Sequence, residues 1–478
     1  MKSVRVAIIG AGFAGVGLAA SLLRKGVRDV TVFERSGEVG GVWRDNTYPG
    51  AACDVPSYLY SYSFAPKRDW SRRYAPQQEI QDYIVETADK LGVTPLVRFN
   101  TEIVSAVWHE VDQEWQLTDR AGNRTAFEVV VFSCGQMSQP LIPELVGADE
   151  FSGPTMHSAR WNPEIDLAGK RVAVVGTGAS AIQFVPEIAK IAERVTVYQR
   201  SPVHVMPKPD PVYEKPMSRW QFWSRRYALF LQKEALSARV NHFPGLMKRK
   251  ESQFAEHLVA QVPDETLRAK VMPHDRFGCK RILVSDHWYP ALLRDNVEVV
   301  PSRVARVGAH EVVAADGESR EADVIIYGTG FQSTRFMLPL DIVGVDGISL
   351  EERWNVGAAA YLGTQVAGFP NLFLTYGPNS NVGHNSILFM IESQIHYIVS
   401  AVRRIAKGKA RSVVVSDGVF ARFNERIQHR SQHTVYATGC TNWFINENGV
   451  HTQNWPGSVI PYWWRTRWIR PRHMVESS

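Results

Sequence analysis

The stretch Val4-Arg5-Val6-Ala7-Ile8-Ile9-Gly10-Ala11-Gly12-Phe13-Ala14-Gly15 decides how this chain is read. A short apolar strand, Val4 to Ile9, runs into the pattern G-x-G-x-x-G. A helical stretch follows to about Lys25, and a second strand spans Val30 to Phe33. Strand, glycine turn, helix and strand in that order form a βαβ unit, the context that makes a glycine motif a dinucleotide signature. Gly10 permits the tight turn, Gly12 lets the main chain approach a pyrophosphate, and Gly15 lets helix and strand pack closely. The helix N-terminus then offers unpaired amides to phosphate oxygens. Glu34 closes the second strand, where a carboxylate accepts hydrogen bonds from a ribose diol without a 2′-phosphate.

The same grammar returns at Val172 to Val175, followed by Gly176-Thr177-Gly178-Ala179-Ser180-Ala181, a helix, and Val195 to Tyr198. Alanine is permitted at the third glycine position. The counterpart of Glu34 is Arg200. An acid there would repel a 2′-phosphate, whereas a guanidinium binds one bidentately. Gly176, Thr177, Gly178, Ser180 and Arg200 are therefore expected to hold NADP(H), and Gly10, Gly12, Gly15 and Glu34 to hold FAD.

Val129 to Ser133, ending in Cys134-Gly135, and Val324 to Tyr327, ending in Gly328-Thr329-Gly330, each read as the last strand of a nucleotide domain. The expected fold is α/β, with two Rossmann-like dinucleotide-binding domains and a helical insertion. Residues 1–150 form the first part of an FAD domain, and 151–334 an NADP domain with the insertion at about 212–275. Residues 335–478 return to the FAD domain and cap it. In the insertion, Trp220, Trp223, Tyr227, Phe230 and Leu231 recur at helical spacing and are expected in the core. A long helix from Ile387 to about Lys407 carries one apolar face. The Trp- and Arg-rich stretch from Trp463 to Arg472 is expected to cap the fold rather than line a substrate mouth or touch a membrane.

The 478 residues suffice for two or three domains, and 45% apolar with 21% charged residues describes a packed globular chain. A net charge of +6 is too mild to argue for nucleic-acid binding and suits an anionic cofactor. Cys53, Cys134, Cys279 and Cys440 are scattered, so neither a metal site nor a redox dithiol is expected. No apolar run has the roughly 18 residues of a membrane span. The apolar N-terminal stretch is broken by glycines and lacks a small-residue cleavage site, so a cytoplasmic location is expected. Flavin with NADP(H) leaves two broad branches, disulfide reductases and monooxygenases. The first needs a cysteine pair beside the flavin, which the spacing does not offer.

Gly40-Gly41-Val42-Trp43-Arg44-Asp45-Asn46-Thr47-Tyr48-Pro49-Gly50-Ala51-Ala52-Cys53-Asp54 resembles the Baeyer–Villiger monooxygenase fingerprint G-G-x-W-x-x-x-x-Y/F-P-G-x-x-x-D at every fixed position. Phe151 to Asn162 resembles a second fingerprint, F-x-G-x-x-x-H-x-x-x-W-P/D, with Asn162 at the last place. Phe277-Gly278-Cys279-Lys280-Arg281 is similar to the family's F-G-x-K-R segment, and Thr441-Asn442-Trp443-Phe444 to its mobile loop. The resemblance is strongest up to about residue 335. It implies that NADPH reduces FAD, that reduced FAD captures oxygen as a 4a-peroxide, and that this attacks a hydrophobic ketone to give an ester or lactone. It further implies that Arg281 stabilises anionic oxygen, oriented by Asp54, and that Trp43 and Trp443 lie at the cofactors. Lys280 would join Arg200 at the 2′-phosphate, while His157 and Trp161 would orient the domains. Oxygenation of a sulfide or amine remains open, as does a non-catalytic flavin-fold binding protein.

Overall fold

The computed structural model describes residues 2–242, 244–337, 339–440 and 442–477, with side chains outside 236–246. Two stretches of β-branched residues become the centres of two parallel sheets. In the first, β1 (Val6–Ile9) is flanked by β2 (Val30–Phe33) and β3 (Val129–Phe132), with Val6 opposite both Val30 and Val129. Val97–Arg98 and Leu372–Leu374 complete the edges. In the second, β4 (Arg171–Val175) is flanked by β5 (Arg194–Tyr198) and by β7 (Val324–Tyr327); β6 (Val297–Val300) and Thr155–His157 lie outside them. All these pairings are parallel, and near-continuous apolar runs such as Val129–Phe132 are buried throughout, as strands covered on both faces require.

The chain therefore leaves β1 and β4 at a point where strand order reverses, and a crevice opens beyond the carboxyl ends of the strands. Helices α1 (Phe13–Arg24) and α2 (Ala181–Ile188) start at these points. Each presents an apolar face to a core, with Val16, Leu18 and Leu22 buried on α1 and Ile182, Phe184 and Val185 on α2.

The insertion is helical, as expected: α3 (Arg219–His242), α4 (Pro244–Gln261) and α5 (Glu265–Val271). The aromatic stripe on α3 is not core, however. Trp220 is 78% exposed, with Tyr227 and Leu231 also exposed and Trp223 and Phe230 only partly covered. The inward face is set by Phe222, Arg226 and Glu234 instead. Arg226 donates to the Tyr58 carbonyl at 2.5 Å and to Ser61 Oγ at 3.3 Å. Helical spacing alone does not reveal which face is inward when the buried face carries hydrogen-bonded charged side chains.

After the insertion, α6 (Ile387–Ala406) buries Leu388, Ile391, Ile395, Ile398, Val402 and Ile405 against α1, on the face that the periodicity marks out. Helix α7 (Val459–Thr466) packs on α6, while Trp464 and Trp468 beyond this contact stay largely exposed. No described helix is long and apolar enough to cross a membrane.

Candidate active site

The first glycine loop has the geometry a pyrophosphate cradle needs. Gly10 takes φ +103°, and a Cβ on it would sit 2.7 Å from the Ser133 carbonyl oxygen. A Cβ on Gly15 would lie 1.9 Å from the Gly10 carbonyl oxygen, so α1 meets β1 only because that position has no side chain. Gly12 faces Gly41, which brings the Gly40-Gly41 turn over the loop. Glu34 is buried and accepts hydrogen bonds from the amides of Ala11 (2.9 Å) and Ser36 (3.1 Å); its Oε1 also pairs with Arg44 at 3.1 Å. A carboxylate has about four lone-pair sites, so one remains for a ribose hydroxyl.

The second loop repeats the construction. Gly176 has φ +100°, and a Cβ there would lie 2.7 Å from the Gly328 carbonyl oxygen, as at Gly10. Gly178 lies close to the same oxygen, Thr177 is buried, and Ser180 precedes α2. Arg200 is exposed just beyond β5 and pairs with no carboxylate among the described residues. Lys280, expected beside it, forms an ion pair with Asp275. The two segments do run close together: His204 packs on Phe277 at 5.0 Å.

A cleft of about 460 Å³ starts at Gly10, Gly12 and Glu34, passes Trp43 and Gln136, and reaches Asp54, Arg281, Tyr376 and Asn385. Ala179, Ser180 and Gln183 of the second loop also line it, so both phosphate loops open on one space. Arg281 Nη2 donates to Asp54 Oδ2 at 2.5 Å, joining segments far apart in sequence. Both side chains keep about a third of their surface open, 38% and 29%. The Asp54 charge raises Arg281. Burial pushes the Asp54 carboxyl up, but Arg281 and then Lys208 outweigh it and hold it below its ordinary value. The pair is thus charged on both sides at neutral pH.

Tyr60 and Tyr376 line the same cleft, and Tyr436 lies near enough to feel the Arg281 charge. Burial pushes Tyr376 up to about 12, and Tyr60 and Tyr436 upward as well, so all are neutral donors. Tyr376 sits at φ +55°, a left-handed conformation uncommon for a bulky residue, and its hydroxyl donates to Asn381 Oδ1 at 2.9 Å. Trp43 Nε1 donates to the Tyr60 hydroxyl at 3.1 Å. Gln136 donates to the Tyr376 carbonyl at 2.7 Å, while its own Oε1 is buried without a partner among the described residues. An orphaned acceptor on the cleft wall marks a place for a donor from a bound molecule.

The chain matches the family model described as flavin-binding monooxygenase-like over residues 3–346. It belongs to that family. A protein of Streptomyces coelicolor named Baeyer-Villiger monooxygenase is 41% identical over 482 residues, covering 98% of this chain and 91% of the relative. One of Pseudomonas aeruginosa with the same name is also 41% identical, covering 98% and 89%. Among solved structures, cyclohexanone monooxygenase from Rhodococcus sp. Phi1 bound to NADP+ superposes with TM-score 0.88 at 25% identity, covering 100% of this chain and 99% of that one. Oxidized steroid monooxygenase bound to NADP gives 0.86 at 28%, covering 97% of each. The likeness extends past residue 335, where the sequence motifs alone weaken, and includes the C-terminal part.

Within this flavin-binding family member, the remaining expected residues fall in two groups. His157 ends the strand beside β7, is buried, and accepts the Ala159 amide on Nδ1 at 3.1 Å; burial pushes it down, so it is neutral. Trp161 packs on Phe184 of α2 at 5.7 Å. Asn162, where the fingerprint has Pro or Asp, accepts the Glu164 amide on Oδ1 at 3.0 Å, a turn that an Asp oxygen would make equally well. Trp443 is half-buried against Phe444 at 4.5 Å; Thr441 of that loop lies outside the described residues.

Sequence reading missed several residues. Tyr48, inside the quoted fingerprint, donates to Gln183 Oε1 of α2 at 2.8 Å, and Gln183 Nε2 donates to the Ala52 carbonyl at 3.0 Å. These bonds tie the first unit to the second beside Asp54. Ahead of α6, His384 and Asn385 both bind Glu234 of α3, each at 2.9 Å, and Asn385 also lines the cleft. Cys279 and Cys440 are bonded, against the expectation of no cysteine pair. They are brought together by folding over a separation of 161 residues, which no local motif records. Neither lines the cleft, so the pair does not revive a disulfide reductase.

Proposed function

We propose that this chain is an NADPH- and oxygen-dependent flavin monooxygenase that converts a hydrophobic ketone into an ester or lactone. Ketone, O₂, NADPH and a proton become ester, water and NADP⁺. The observation that carries this reading is the charged Arg281–Asp54 pair at the far end of a cleft that begins at the first phosphate loop. Its relatives' shared name, Baeyer-Villiger monooxygenase, supports it.

The residues fit both cofactors. The amides around Gly10 and Gly12, with Glu34 on the ribose, would hold FAD, and Gln136 Oε1 awaits a donor along its path. Gly176, Thr177, Gly178 and Ser180 would hold the NADPH pyrophosphate, with Arg200 on the 2′-phosphate and Lys280 at its edge. Bound flavin supplies oxygen activation and bound nicotinamide the hydride. Arg281 is a fixed cation in a partly water-excluded site, where a guanidinium stabilises negative charge developing on a ketone oxygen far better than water-exposed charge does. Asp54 fixes the orientation of that guanidinium. Trp43, Tyr60 and Tyr376 wall the site and exclude water. His157 is neutral and engaged on the main chain, so it serves position rather than proton transfer. Trp161, packed against Phe184 of α2, couples the same connection to the second loop, and Trp443 would close over the coenzyme.

A panel of ketones, sulfides and amines, with NADPH consumption and product mass read together, tests the proposal. Oxygen insertion beside a carbonyl is expected. Oxygenation confined to sulfides or amines would replace the ketone reading, and failure to retain any flavin after reconstitution would remove the enzyme reading altogether.

A further inference from the structure

Cys279 is fully buried and Cys440 half-buried, and their sulfurs are bonded with Cα atoms 6.2 Å apart. Cys279 stands two residues before Arg281. Cys440 lies midway along a strap that carries Tyr436 before it and Asn442 and Trp443 after it. The far end of the strap is anchored: Asn446 Nδ2 donates to the Val356 carbonyl at 2.8 Å, the Thr452 amide donates to the Phe444 carbonyl at 3.0 Å, and Phe444 is buried. Nearer the bridge its hold on the Cys279 segment is slight. Asn442 Nδ2 donates to the Cys279 carbonyl at 3.4 Å and to the Tyr436 carbonyl at 3.0 Å, and the Tyr436 ring meets Phe444 at 4.9 Å. The Tyr436 hydroxyl lies 3.0 Å from where a Cβ on Gly383 would sit, so the strap reaches the loop ahead of α6. Tyr436 also lies within the electrostatic reach of Arg281. The bridge thus fastens the strap to the segment that carries Arg281. Cys53 and Cys134 are free.

We propose that Cys279 and Cys440 are a reversible thiol–disulfide exchange site whose reaction partner is a small-molecule disulfide or thiol of the glutathione class, and whose state sets how firmly residues 435–440 and 442–446 are held against the segment that carries Arg281. The part-exposed Cys440 thiolate attacks the small disulfide, forming a mixed disulfide and expelling one thiol. Cys279 then attacks Cys440 sulfur and expels the second. Two protein thiols and one small disulfide become the protein bridge and two small thiols, with protons retained by the leaving thiols; reduction is the reverse. A reducing compartment holds the strap by hydrogen bonds and packing alone, and an oxidising one adds a covalent clasp. Closure of the strap over coenzyme rests on the proposed function; formation of the bridge and its hold on the strap do not.

The test uses the full chain and its Cys440→Ser variant, each equilibrated with oxidised glutathione or with dithiothreitol. Thiol titration after denaturation is expected to give two thiols in the oxidised wild type and four in the reduced, with three in the variant under either condition. Chymotrypsin, which cuts after Tyr436, Trp443 and Phe444, should nick the strap roughly tenfold faster in the reduced wild type, since cleavage follows the population of the open form. The variant should be fast under both conditions. Four thiols in the oxidised wild type would overturn the site, and equal cleavage in both states would overturn its control of the strap. Neither readout depends on flavin, NADPH or a ketone, so failure of the proposed activity would leave this result standing on its own.

Discussion

In the proposed reaction, Arg281 is the residue on which the oxygenating chemistry turns. Its charge is needed when negative charge grows on the ketone oxygen, not when a hydride reaches the flavin. Arg281→Ala is therefore expected to bleach the flavin anaerobically with NADPH yet form little ester in air, with the electrons recovered as hydrogen peroxide. Arg281→Lys should not restore the product fully, because an ammonium cannot reproduce the planar fork held by Asp54. Normal ester yield from Arg281→Ala would refute the assignment. Arg200 is proposed to act at the other end of the reaction, on the coenzyme. It is exposed and free to meet a 2′-phosphate, and loss of one charge-assisted contact is worth about 1.5–3 kcal/mol, or roughly 10- to 150-fold. Arg200→Ala should raise the Michaelis constant for NADPH by that factor and leave the NADH constant nearly unchanged; equal rises would show that the residue does not read the phosphate.

At the scale of elements, α3 is latched to the cleft wall through Glu234. This buried carboxylate accepts from His384 and Asn385 at 2.9 Å, from Ser458 Oγ at 2.5 Å and from the Val459 amide at 3.0 Å, so one side chain gathers α3, the loop before α6 and the start of α7. Asn385 in turn lines the cleft. Burial pushes the Glu234 carboxyl up, but the hydrogen bonds from His384, Ser458 and Asn385 prevail and bring it down to about 2, from an ordinary 4.5. A carboxyl depressed on folding stabilises the native state above its unfolded value and loses that contribution as pH falls through the folded value. The latch should therefore be at full strength above pH 4.5 and weaken between there and pH 2. Glu234→Ala leaves four donors unpaired and should cost about 2–4 kcal/mol at pH 7, seen as a lower urea midpoint. The deficit should shrink at pH 3; a deficit independent of pH would show that ionisation of Glu234 is not what holds α3.

For the whole molecule, the two sheets share one construction but differ in the residue just beyond the second strand, Glu34 in one and Arg200 in the other, the positions proposed to meet the ribose. The protein should therefore purify yellow, with one non-covalent FAD per chain and no second flavin at the Arg200 loop. A ratio near two, measured by absorbance of released flavin against protein, would mean that the second loop does not discriminate. The units are joined at Tyr48–Gln183 beside the Arg281–Asp54 pair, so the ion pair is assembled only when both are docked.

What this sequence determined by itself is what local chemistry encodes. β-branched runs, glycines at Gly10, Gly15 and Gly176, and the residue type at 34 and 200 dictate two nucleotide-type βαβ openings, because strand, turn and helix form from neighbours in the chain. The long α6 face was legible for the same reason. Motif resemblance singled out Arg281 and Asp54, but only folding places them 2.5 Å apart, since their segments belong to different units. The outward turn of Trp220, Tyr227 and Leu231 was decided by the burial of Arg226 and Glu234, whose partners at Tyr58, Ser61, His384 and Ser458 lie in remote segments. The Cys279–Cys440 bond and the Tyr48–Gln183 contact likewise join segments 161 and 135 residues apart. Such pairs leave no periodic signal: each partner is an ordinary residue in its own stretch, and packing of the units alone selects its mate.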